Sequence, residues 1–84
     1  MNDTNFKLLL NYITDEYTSE EHFAEFNSLD DALEEADDVA FENVGFPLES
    51  WQSVDFGDGN LLYFFYPNEE DRTTKYKLTI LEEI

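Results

Sequence analysis

The segment from Leu29 to Glu42 holds seven carboxylates among apolar side chains, and at helical spacing the two kinds separate. At about 100° per residue, Leu29, Ala32, Leu33, Ala36 and Ala40 form one apolar stripe, while Asp30, Asp31, Glu34, Glu35, Asp37, Asp38 and Glu42 fall on the remaining arc. Ser28 supplies a side-chain oxygen for the free amides of the first turn, where Asp30 and Asp31 also complement the helix dipole. Gly45 and Pro47 mark the stop. Phe41 breaks the pattern, because the wheel sets it among the acids. Either the helix ends near Ala40, or Phe41 is an exposed aromatic in an acidic field.

No lysine or arginine balances these acids. The 84-residue chain carries 21 Asp and Glu against four Lys and Arg, a formal net charge of -17, and residues 8 to 71 contain no Lys or Arg. Arg72, Lys75 and Lys77 face only Glu82 and Glu83 in the last thirteen residues, so charge is polarised along the sequence. A helix shaped for stability alone would include Glu to Lys pairs at i,i+4, each worth about 0.2–0.5 kcal/mol. This one accepts like-charge repulsion instead.

The rest of the chain reads as strands. Residues 6–14 alternate Leu8, Leu10 and Tyr12 with Lys7, Leu9, Asn11 and Ile13. Residues 15–21 read as a polar turn, and 22–26 as a strand, although Thr18 and Glu21 also fit a capping box for a short helix. Residues 51–56, 61–66 and 75–81 are three further strands, the first two joined by a Gly57-Asp58-Gly59-Asn60 turn and the last two by a polar loop. The expected fold is α+β: a single small domain over residues 1–84, β-β-α-β-β-β, with an antiparallel sheet and the amphipathic acidic helix packed on one face. The run Leu61-Leu62-Tyr63-Phe64-Phe65-Tyr66 is apolar on both faces, and one helix covers only one. Either Tyr63 and Phe65 or Phe64 and Tyr66 then belong to an exposed aromatic patch, unless residues 15–21 or 46–50 fold over it.

Several chemistries find no support. His22 is the only histidine and cysteine is absent, so thiolate catalysis and cysteine zinc sites are excluded, and neither a phosphate loop nor a nucleophile elbow is present. The acids at Asp55 and Asp58 lack the spacing of a calcium loop. No catalytic residue, metal or cofactor is expected, and the chain reads as a cytoplasmic, non-enzymatic protein without membrane contact or direct nucleic-acid binding.

The helix acids span about 18 Å, one charge per roughly 2.6 Å, against one per about 1.7 Å in duplex DNA. In size and acidity the chain is similar to small phage-encoded inhibitors of DNA-binding enzymes, a likeness of composition that transfers no residue. The expected function is an acidic interaction protein and DNA mimic that fills the basic groove of a DNA- or RNA-binding protein. Asp30, Asp31, Glu34, Glu35, Asp37, Asp38 and Glu42 would steer association, and Phe41, Trp51, Tyr63 and Phe65 would anchor it. The alternative is a small structural or accessory domain, a homodimer through its second sheet face, whose acidity serves solubility.

Overall fold

The computed structural model describes residues 5–55, 60–68 and 70–83. Five strands form one antiparallel sheet: β1 (Asn5–Ile13), β2 (Thr18–Phe26), β3 (Gln52–Asp55), β4 (Leu61–Phe65) and β5 (Lys75–Glu83), in the order β2-β1-β5-β4-β3. The helix α1 (Leu29–Val44) lies between β2 and β3 in sequence, followed by a 3₁₀ turn at Leu48–Ser50. The domain is therefore α+β. The Gly57-Asp58-Gly59 part of the β3–β4 turn, and Phe56 before it, lie outside the described residues.

Local chemistry sets the boundaries. Thr14 closes the β1–β2 hairpin: its hydroxyl oxygen accepts from the amides of Glu16 and Tyr17, and its own amide donates to the Tyr17 carbonyl at 2.8 Å. That turn is tight enough for β2 to begin at Thr18, so the segment is a strand throughout and the Thr18/Glu21 helix cap does not form. A bulge interrupts the pairing: Leu10 faces His22 and Asn11 faces Glu20, which leaves Glu21 as the extra residue. At the helix start the Ser28 hydroxyl accepts from the Asp31 amide at 3.2 Å. At its end Gly45 adopts φ 80°, and its amide donates to the Phe41 carbonyl at 2.8 Å. The helix thus runs four residues past Ala40.

The core lies between α1 and one sheet face. Register sets Phe6, Leu8 and Leu10 of β1 on the same face as Leu78 and Ile80 of β5, and all are buried. Ala32, Ala36, Val39 and Ala40 press onto them from α1, the small alanines allowing close approach. Tyr63 and Phe65 pair with Leu78 and Tyr76, which puts them on this helix side, half-buried against the core. Neither is part of an exposed patch. Trp51 is corrected in the same way: only 5% exposed, it stacks 5.5 Å from Phe65 and 6.5 Å from Tyr76. The 3₁₀ turn is the cause, because burial of Leu48 folds residues 46–50 back beneath α1 and carries Trp51 inward. That segment covers the helix side, with Phe46 5.6 Å from Phe65, and leaves the second face bare.

Candidate functional site

Two surfaces of opposite character result. The first is the acidic layer on α1. Asp31, Glu34, Glu35 and Asp38 recur at i, i+3, i+4 and i+7 and line one groove with Phe26, the last residue of the edge strand β2. Four carboxylates therefore converge along about two helical turns, beside an apolar floor. Glu34 and Asp38 are exposed and make no hydrogen bond or ion pair among the described residues. Glu35 is half-buried, and its carboxylate oxygen stands 3.2 Å from His22 Nε2. That distance permits an ion pair when the ring is protonated, although the contact lacks hydrogen-bond alignment.

The remaining helix acids divide. Asp30 and Glu42 are exposed and outside the groove. Asp37 is exposed and also serves the fold, because its Oδ1 accepts the Leu48 amide at 2.9 Å and ties the 3₁₀ turn to the helix. Phe41 is 59% exposed and projects from the acidic arc, which settles its alternative as the exposed aromatic. Of the four aromatics expected to anchor a contact, the structure leaves Phe41 on the surface, buries Trp51 and half-buries Tyr63 and Phe65.

The second surface is the open sheet face, and strand register defines it. One row crosses all five strands: Phe23, Leu9, Thr79, Leu62 and Val54. Lys7 and Leu81 lie in the next row on one side, Asn11, Lys77, Phe64 and Gln52 on the other, with Ile13 and Lys75 beyond. Arg72 joins this face near Phe64, its guanidinium 4.7 Å from the Tyr66 ring centre. All four Lys and Arg of the chain are thus gathered on the side away from α1. Lys7 Nζ sits 3.0 Å from Glu83, and that hydrogen-bonded carboxylate holds the ammonium above the ordinary lysine range.

The linear reading missed this gathering, since its members come from strands up to 70 positions apart. Only pairing partners could have shown it. Among the described residues, no three His, Asp or Glu converge as metal ligands, and no helix is long and apolar enough to cross a membrane. No family model, curated protein or solved structure matches the chain.

Proposed function

We propose that this chain is a non-catalytic interaction protein whose acidic helical layer occupies a basic surface, most simply the phosphate-binding groove of a nucleic-acid-binding protein. The reading is supported above all by the groove acids Asp31, Glu34, Glu35 and Asp38, aligned on one helix with no Lys or Arg among the described residues that line the groove. Attraction to a basic groove recovers the repulsion that the isolated helix carries, and it accelerates encounter at low ionic strength. Phe41, exposed amid the acids, is the apolar anchor of such a contact. Asp37 is left out of the docking set, since its carboxylate is engaged with Leu48.

The test is affinity capture from a cell lysate at low and moderate salt. Wild type is compared with a variant carrying Asp30, Asp31, Glu34, Glu35 and Asp38 as Asn or Gln, and with Phe41→Ala. The expected result is a nucleic-acid-binding protein that wild type retains at moderate salt, that both variants lose, and that duplex DNA displaces. Identical capture by wild type and the neutralised variant would sink the proposal.

A further inference from the structure

We infer that the open sheet face is an interface between two copies of this chain, packed back to back about a two-fold axis that crosses the strands along the row Phe23–Leu9–Thr79–Leu62–Val54. This goes beyond the proposed function, which uses the opposite side of the molecule.

Three observations converge on a second copy as the occupant. The first is electrostatic. A chain of net charge -17 repels its own kind everywhere its acids are uncompensated, and this face is the place where they are balanced. Lys7, Lys75, Lys77 and Arg72 stand here against Glu20, Glu25 and Glu83, placed by the same register. The second is apolar exposure: Phe23 is 49%, Leu81 44% and Val54 43% exposed, and Leu9, Leu62 and Phe64 are covered only in part. The third is area. Five strands at about 4.8 Å spacing, of four to nine residues each, present roughly 600 Å² per copy. Two copies would bury about 1,200 Å², the lower end of specific interfaces, which fits micromolar association.

Charge along the central strand β5 selects the axis, which at the sheet edge sets Glu25 over the partner's Glu20. An axis parallel to β5 would stack Lys75 on the partner's Lys75 and Lys77 on the partner's Lys77. The axis across the strands reverses β5 over itself, because residues equally spaced either side of Thr79 then face each other. Lys77 meets the partner's Leu81, and Lys75 meets the partner's Glu83, which already holds a lysine of its own chain. The apolar row lies on the axis and stacks on its own image, as in aligned sheet sandwiches with a spacing of about 10 Å. Thr79 occupies the centre of that row. Closure is complete in the pair, with both acidic helices facing outward.

Sedimentation equilibrium on the full chain from about 1 to 200 µM, at 50 and 300 mM salt, tests this. The expected mass is twice 9.9 kDa at the upper concentrations. Salt should strengthen the pair, whereas it weakens the steered contact of the acidic helix with a basic partner. Leu81→Glu, at a position already exposed, should weaken the dimer at least tenfold, with circular dichroism verifying that the variant is folded. Lys75→Glu sets two carboxylates face to face and should weaken it too, an effect that fades at 300 mM salt. Neutralising Glu34 and Asp38 should leave the dimer constant within about twofold. A monomer at 200 µM and 300 mM salt would overturn the inference, as would an unaltered dimer in folded Leu81→Glu. A stronger dimer in Lys75→Glu would overturn the axis.

Discussion

Replacing Glu34 by Gln and Asp38 by Asn should make this protein more stable, and the structure sets the size of the gain. Both side chains are exposed and free of hydrogen bonds and ion pairs among the described residues, so nothing favourable is lost. On α1 the two substitutions remove six like-charge neighbours at i,i+3 or i,i+4: Asp30–Glu34, Asp31–Glu34, Glu34–Asp37, Glu34–Asp38, Glu35–Asp38 and Asp38–Glu42. At about 0.2–0.5 kcal/mol each, relief amounts to roughly 1–3 kcal/mol at low salt. Gln and Asn match Glu and Asp closely in helix propensity, so the change isolates charge. For a domain of this size, 1 kcal/mol moves the melting midpoint by about 4–8 °C. Circular dichroism melts at 20 and 500 mM sodium chloride are the assay, because the screening length falls from about 20 Å to about 4 Å between them. The variant should melt at least about 4 °C above wild type at 20 mM, with most of that difference gone at 500 mM. Equal midpoints at low salt, or a gap indifferent to salt, would show that the helix acids do not repel one another in the folded chain.

Asp37→Ala should act in the opposite direction from its neighbours: it strands the half-buried Leu48 amide and should cost about 1 kcal/mol in urea titration, where a gain would contradict the helix-to-turn tie. Trp51→Ala removes an indole packed on Phe65 and Tyr76 and should cost about 3–5 kcal/mol, enough to unfold much of the population at 37 °C; a loss below 1 kcal/mol by denaturant titration would mean that Trp51 is not in the core. Stability should fall on the alkaline side. Burial, with Tyr12 and Glu21 adding to it, raises Tyr76 above the ordinary tyrosine value, so its contribution is whole below about pH 10 and is lost as pH rises through the raised folded value. Lys7, raised by Glu83, acts with the same sign, and Tyr76→Phe should therefore flatten only part of the decline in melting midpoint between pH 9 and 11.

The helix was legible because its signals are local: the Ser28 cap, the alanine stripe and the Gly45 stop all act within a few residues. The strand at residues 18–26 was harder. Its alternation is broken by the bulge at Glu21, and the same residues that make the bulge imitate a helix cap. The burial of Trp51 and the bond of Asp37 to Leu48 were hidden for one reason, since both arise from the 3₁₀ turn, whose tie to α1 spans eleven residues and leaves no periodicity. The helical wheel left Phe41 with two alternatives, and the run of α1 to Val44 decides between them. The row Phe23–Leu9–Thr79–Leu62–Val54 could not be read from the sequence, because each member is unremarkable in its own strand and the row exists only once register is set.

The pairing of β1 with β5 also constrains how the chain acquires its shape. The central pair of the sheet joins Asn5–Ile13 to Lys75–Glu83, and its register matches Asn5 with Glu83. During synthesis the β1–β2 hairpin and α1 can form early, but two of the four largest fully buried side chains, Leu78 and Ile80, are translated after every other core residue. Until then Leu8 and Leu10 have no central neighbour and the edge of β1 stays open. Closing a loop of that length costs only a few kcal/mol of chain entropy, yet it must be met before any of the central contacts exist. Folding of this domain therefore waits on β5, and its removal should leave the helix and the β1–β2 hairpin without the central strand that joins the core.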